Sequence, residues 1–374
     1  MSLGSQLRDL YHERTNYQFM SRTWRWALIS GIVLAAGFIA FFARGGLNLG
    51  IDFEGGTSWE FTVASSQTVS SGELRDVMKE FGLGDAKIII VNENGARVQA
   101  ETLPRSEQGE ITDGLAKYAG IDLADVSIND VGPTWGRAVS EKALRALIVF
   151  FFVIAIYLSL RFEWKMAASA IIAVIHDIFV TVGVYAITGF EVTPATVIAF
   201  LTILGFSLYD TVVVFDKVKE NEVLLGTARG MTYSEMVNRS LNEVLARSLN
   251  TSFVALLPVT SLLVVGSYIM GALSLRDFGL ALFVGLITGA YSSIFVATPI
   301  LAKWREREPK MRALRERSEG RAARTVSAPT PVDAPPTTVT EPASTTTAST
   351  TTAVITPPAE VTARPRQARR RKRR

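Results

Sequence analysis

The sequence predicts an α-helical polytopic membrane protein: six spans, a small ferredoxin-like α/β domain outside the bilayer, and a disordered basic tail. Three observations carry that reading. The 374 residues are 48% hydrophobic, which suits a multi-span chain with polar attachments better than a soluble domain. Six apolar runs recur, each near the roughly 20 residues that a ~30 Å hydrocarbon core requires. Charge is segregated: residues 44–136 hold 7 basic and 15 acidic side chains, net −8, whereas residues 303–374 hold 17 and 7, net +10. With no cysteine and only two histidines, the chain offers neither a disulfide framework nor the ligands of a protein-only zinc centre.

Residues 1–23 form a polar N-terminal segment with Arg8, Arg14 and Arg22, and residues 24–43 form the first span. Trp24 and Trp26 fall where an interfacial aromatic belt would lie. The run is longer than a signal-peptide core and no A-x-A site follows, so a retained anchor is expected. Residues 44–140 are soluble in character. Strands are expected at Thr57–Val63, Lys87–Val91, Ala96–Ala100 and Asp125–Asn129, with helices at Ser70–Phe81 and Ser106–Tyr118. Asn92-Glu93-Asn94-Gly95 supplies a hairpin turn between the middle strands. The order β-α-β-β-α-β is the split ferredoxin-like arrangement. The domain carries no nucleophile elbow, phosphate loop or metal cluster, so it reads as a contact surface.

Residues 141–304 supply five more spans: Ala143–Leu160, Met166–Ile187, Thr193–Phe215, Ser248–Met270 and Phe278–Leu301. Arg161 and Lys165 flank one link, and Lys217, Lys219, Arg229, Arg239 and Arg247 lie between the fourth and fifth spans. The opposite links, Gly189–Thr193 and Gly271–Leu275, contain no Lys or Arg. The positive-inside rule therefore puts both termini in the cytoplasm and the α/β domain outside. Thr232 and Glu235 form a capping box opening an amphipathic helix near 232–246, expected to lie on the inner surface before turning into the bilayer. Gly285, Gly289 and Ser293 make a small-residue row that lets helices approach closely. Residues 305–374 are charged, then rich in Pro, Thr, Ala and Ser, a composition that cannot bury enough apolar area to fold. The terminal ARPRQARRRKRR would attract anionic lipid or ribosomal RNA, and a tail tethered beneath a membrane favours lipid.

Polar groups inside the spans are the functional candidates. Asp210 sits within the fourth span, where a carboxylate costs about 2.5–3.5 kcal/mol on insertion scales. Ser207 lies one turn before it, Thr211 beside it and Lys217 two turns on. His176 and Asp177 fall near the middle of the third span and, pointing about 100° apart, are expected to address different neighbours. Histidine and carboxylate together suit a proton relay. Arg247, with Glu243, Asn250 and Thr251 one turn away, is a candidate counter-ion for Asp210. The alternatives are a packing carboxylate for Asp210, a histidine bonded to backbone for His176, and a snorkelling side chain for Arg247. No residue set supports hydrolysis, group transfer or metal binding, so no catalytic residue and no cofactor are expected.

Several motifs in order resemble the SecF family of protein-export membrane proteins, within the resistance-nodulation-division superfamily. Leu49-Gly50-Ile51-Asp52-Phe53-Glu54-Gly55-Gly56-Thr57 is similar to its GIDF-x-GGT entry to the outer domain, and Gly132-Pro133-Thr134-Trp135-Gly136 to its GP-x-x-G exit. His176-Asp177, Ser207 to Asp216, Asn238 to Ser252, Arg276 to Phe278 and Tyr291-Ser292-Ser293 complete a pattern over roughly residues 20–305. The resemblance implies a half-transporter bundle that pairs with SecD into a twelve-span assembly in the bacterial inner membrane. It implies association with the SecYEG channel and the translocating preprotein, powered by the proton-motive force. Asp210 would be the family's membrane carboxylate, Arg247 its partner arginine, and Asp52, Gly55, Gly56, Gly132, Pro133 and Gly136 the domain junction. Tyr209 departs from the family's usual Asn, and Arg137-Ala138 from a frequent acidic pair. The alternatives are half of a proton-driven exporter of that superfamily, or a passive scaffold of the channel.

Overall fold

The computed structural model describes residues 15–63, 68–91, 94–227, 231–269 and 273–326. Of the tail expected to be disordered over 305–374, Pro309–Val326 instead forms a helix, its charged Arg- and Glu-rich stretch preceding the Pro/Thr-rich part. The remainder beyond residue 326, Arg8 and Arg14, the turn residues Asn92 and Glu93, Arg229 and Gly271 lie outside the described residues. Among the described residues, six helices are long and apolar enough to cross a membrane: Met20–Ala43, Pro133–Arg161, Trp164–Thr188, Pro194–Asn221, Tyr233–Gly266 and Leu275–Glu306. They are the first to sixth spans below, and the chain is a multi-pass membrane protein.

The α/β domain expected outside the bilayer, called the outer domain below, is built on a four-stranded antiparallel sheet of order β2-β3-β1-β4, with β1 at Gly56–Thr62, β2 at Lys87–Val91, β3 at Gly95–Ala100 and β4 at Ser127–Val131. Helices α1 (Ser71–Glu80) and α2 (Arg105–Ala119) cover one face. Trp59, Leu74, Met78, Val98 and Leu115 are fully buried there, and the indole of Trp59 donates to Thr112 Oγ1 at 3.0 Å. The last strand begins two residues later than the alternation suggests. Leu123–Asp125 form a helical turn first, and the strand then runs on until Val131 pairs with Gly56.

Two helices extend well beyond their apolar runs. The second begins at Pro133, where Gly132 and the ring's fixed φ start the helix inside the outer domain. The fifth runs unbroken from Tyr233 to Ser261, capped by the Thr232–Glu235 box. The expected surface helix near 232–246 is therefore the N-terminal half of one continuous rod, since no Gly or Pro interrupts it before Pro258. Its inner end holds the N-terminal segment: Asn238 Oδ1 accepts from Phe19 N at 2.7 Å and Asn242 Oδ1 from Tyr17 N at 2.8 Å.

The third, fourth and sixth spans form the core of the bundle, while the second presents most of its surface outward. The small-residue row explains how closely the sixth span seats. A Cβ on Gly289 would meet Ser207 Cβ at 2.9 Å, and one on Gly285 would overlap Ile203. Gly37 and Gly183 make a similar backbone crossing between the first and third spans.

Candidate functional site

Where these three inner helices meet the fifth, two carboxylates are buried and wired by serine hydroxyls. Asp210, 3% exposed, accepts from Ser248 at 2.7 and 2.8 Å on its two oxygens, and from Ser293. Asp177, 1% exposed, accepts from Ser207 at 2.5 Å, from Ser292 at 2.7 Å and lies 3.1 Å from His176 Nδ1. Neighbouring serines of the sixth span thus hold one carboxylate each. This is possible because the regular helix ends at Ser292 and a wide turn spans Ser293–Ala297, with Thr298 Oγ1 donating to Ser293 O at 2.7 Å. Such π-type turns recur at functional positions because they rotate adjacent side chains apart from the ordinary helical row.

The arrangement can hold a proton in more than one place. A serine hydroxyl donates to an ionised carboxylate and accepts from a protonated one, so the same heavy-atom frame serves both states. His176 extends the chain outward from Asp177. Its Nε2 is buried without a hydrogen-bond partner among the described residues, and its ring stacks on Tyr291 at 6.3 Å. The Tyr291 hydroxyl in turn meets Ser30 Oγ and the Trp26 carbonyl, each at 3.1 Å, on the first span.

The expected residues divide accordingly. Asp210, Asp177, His176 and Ser207 meet at this centre, and Thr211 closes onto its own helix by donating to Ser207 O at 3.0 Å. His176 and Asp177 form a local pair after all, Nδ1 lying 3.1 Å from Asp177 Oδ1, while the other Asp177 oxygen meets Ser207 and Ser292 on separate helices. Arg247 makes no ion pair with Asp210 in this structure. The inward row of the fifth helix is Val237, Leu241, Val244, Ser248 and Ser252, and Arg247 stands about 100° off it. Its side chain is exposed and reaches the Tyr209 hydroxyl at 3.5 Å, so Tyr209 contacts Arg247 and not Asp210. Asn250 is exposed, and Thr251 donates to the Arg247 carbonyl at 2.8 Å, both away from the carboxylates. Ser248, a direct ligand of Asp210, carried a legible signal: it continues the buried row of that helix at i+4 from Val244.

The junction motifs meet each other at the outer surface. Gly55 and Gly56 have φ of 85° and 138°, which only glycine adopts readily. A Cβ at Gly55 would stand 2.8 Å from Pro133 Cα, one at Gly56 2.5 Å from Ala100 O, and one at Gly136 2.7 Å from Phe53 O. Entry and exit of the outer domain are thus one backbone-packed unit with Gly132 and Pro133. Asp52 faces a polar cavity of about 270 Å³ lined also by Ser58, Arg97, Glu191 and Asp277. Burial, and then the nearby Glu191, push its carboxyl above the usual range, with Arg97 opposing.

Comparison with known proteins follows the same outline. Residues 111–307 match the family described as protein export membrane protein SecD/SecF, C-terminal, and residues 39–66 match the SecD/SecF GG motif. Protein translocase subunit SecF of Streptomyces coelicolor is 42% identical over 315 residues, covering 84% of each chain. SecF of Mycobacterium tuberculosis strain H37Rv is 38% identical, covering 87% of this chain and 76% of its own. Protein translocase subunit SecDF of Thermus thermophilus is 33% identical over 77% of this chain and 37% of its own length. A crystal structure of SecDF from that genus, titled a translocon-associated membrane protein, superposes with TM-score 0.71 at 32% identity. It covers 79% of this chain and 39% of that one, so the chain spans well under half the solved SecDF polypeptide.

Proposed function

Because the chain belongs to the SecD/SecF family of protein-export membrane proteins, we propose that it is a non-enzymatic accessory subunit of protein export driven by the proton-motive force. Asp210 and Asp177, with His176, are the groups that exchange the proton. The observation that carries this reading is the pair of buried carboxylates held only by neutral hydroxyls and one imidazole. Among the described residues no Lys or Arg side chain contacts either carboxylate, so each can change charge as its surroundings change. Carrying one charge across the membrane yields ~2.3 kcal/mol per 100 mV, enough over a few protons to move an outer domain against load. Arg247, one residue from Ser248, is the cation that a small rotation of the fifth helix brings toward Asp210. The energy source is the proton gradient, with no bound cofactor.

SecD is the proposed partner for the missing half, because relatives named SecDF join both names in one chain of which this sequence matches 37%. The SecYEG channel and the emerging preprotein are the further proposed partners. The protein sits in the bacterial inner membrane with both termini in the cytoplasm, an orientation supported by the basic links at Arg161–Lys165 and between the fourth and fifth spans. The test is Asp210→Asn in the full chain with SecD. The complex is expected to assemble and to lose proton-dependent preprotein release; normal release by this variant would make Asp210 structural and the chain a scaffold. Co-purification with SecD and the channel separates this reading from half of a small-molecule exporter.

A further inference from the structure

We propose that Arg97, Glu191 and Asp277 form a releasable latch through which the sixth span passes the state of the carboxylate centre to the outer sheet. The proposal rests on the proton-coupled reading above and adds the positioning residues that would transmit it. Arg97 comes from β3, Glu191 from the link between the third and fourth spans, and Asp277 from the outer end of the sixth span. Arg97 Nη1 donates to Glu191 Oε2 at 2.7 Å and lies 3.5 Å from Asp277 Oδ2, while Nη2 stands 3.6 Å from Glu60. Gln99 Nε2 donates to Glu191 Oε1 at 2.6 Å, and Lys87 Nζ lies 3.8 Å from the same oxygen. All three latch residues are buried.

Two features make this contact separable where the rest of the junction is not. On the hinge side, Gly55, Gly56 and Gly136 bring backbone against backbone, leaving nothing that can let go by a side-chain movement. On the latch side, the ions border the polar cavity of about 270 Å³, so water can solvate them as they part. The cluster is also incompletely satisfied: Asp277 Oδ1 and Arg276 Nε are buried without a hydrogen bond among the described residues, although Arg276 Nη2 lies 3.5 Å from that oxygen. A fixed structural pair would be expected to close those bonds.

The link to the centre is one helix. Asp277 and Ser292 lie on the same unbroken segment, Leu273–Ser292, and fifteen residues at ~1.5 Å each set them about 22 Å apart. Its inner end holds Asp177 and Asp210 through Ser292 and Ser293; its outer end holds the sheet through Asp277. A shift of the serines along or about that helix therefore reaches Arg97 without an intervening loop.

The absence of cysteine allows a direct test. Ser58, buried on β1 and lining the cavity, is replaced by Cys, and its reaction with a membrane-impermeant maleimide is followed in membranes holding the full chain and SecD. Slow labelling is expected in S58C alone, and labelling at least about tenfold faster in S58C/R97Q, since breaking a buried pair frees the sheet. Collapsing the proton gradient should change the S58C rate, and that response should be lost in both S58C/R97Q and S58C/D210N. Should R97Q fail to accumulate, Asp277→Asn, which leaves Arg97 paired with Glu191, carries the same comparison. Equal rates with and without the Arg97 or Asp277 change overturn the latch, as does an S58C rate indifferent to the gradient while D210N still abolishes export. If D210N exports normally, the coupling reading itself falls.

Discussion

Removing the two hydroxyls that hold Asp210 should cost more together than the sum of their separate losses. Ser248 contacts both carboxylate oxygens, at 2.7 and 2.8 Å, and Ser293 contacts one of them. After Ser248→Ala or Ser293→Ala alone, one donor remains. Each single change should therefore cost about 0.6–1 kcal/mol, near the average for membrane side-chain hydrogen bonds. With both gone, a carboxylate that is 3% exposed keeps no hydroxyl donor among the described residues. An orphaned buried acceptor loses its full compensation, which brings the double variant to about 3 kcal/mol or more. The excess of about 1 kcal/mol is the coupling term of a double-mutant cycle. It would be measured as unfolding free energy of the full chain in bicelles, in the native background and again with Asp210→Asn, where the excess should shrink below ~0.5 kcal/mol. Additive costs in the native background, or the same excess in both backgrounds, would refute the claim that these serines act through Asp210.

The junction gives two sharper contrasts. Gly136→Ala would drive a methyl to 2.7 Å from the Phe53 carbonyl oxygen, a backbone atom that cannot rotate away, at about 1–3 kcal/mol of overpacking. Gly132→Ala, with open space at its Cβ, is the matched control, and protease resistance of the outer domain should fall only for the former. At Asp52, burial and Glu191 hold the folded-state carboxyl above its unfolded value. Its favourable contribution is therefore complete below the ordinary carboxylate range and is lost as pH rises through the folded value. Outer-domain stability should accordingly decline with rising pH in the native chain, Asp52→Asn should flatten that decline, and at neutral pH the Asn form should be at least as stable. A steeper profile in the variant, by thermal unfolding across pH 4 to about 7.5, would reverse the sign.

Much of the architecture lay in one-dimensional patterns. Apolar runs of membrane length, the period-two alternation of Trp59, Phe61 and Val63, and the Thr232 capping box each depend on neighbours a few residues away, so the chain alone specified six spans and the β-α-β-β-α-β domain. The cost of placing Asp210 and Asp177 in a bilayer was equally local, which is why both were legible as functional candidates. What the tertiary structure decided is which side chains those carboxylates meet. Helical spacing marks Ser248, Ser292 and Ser293 as small residues on packed rows, but only the rotation of packed helices brings their hydroxyls to the carboxylates while turning Arg247 outward. The same holds at the outer surface, where Arg97 meets Glu191 and Asp277 across 94 and 180 residues of chain. Contacts at that separation are set by how helices and sheet pack, and no local periodicity encodes them.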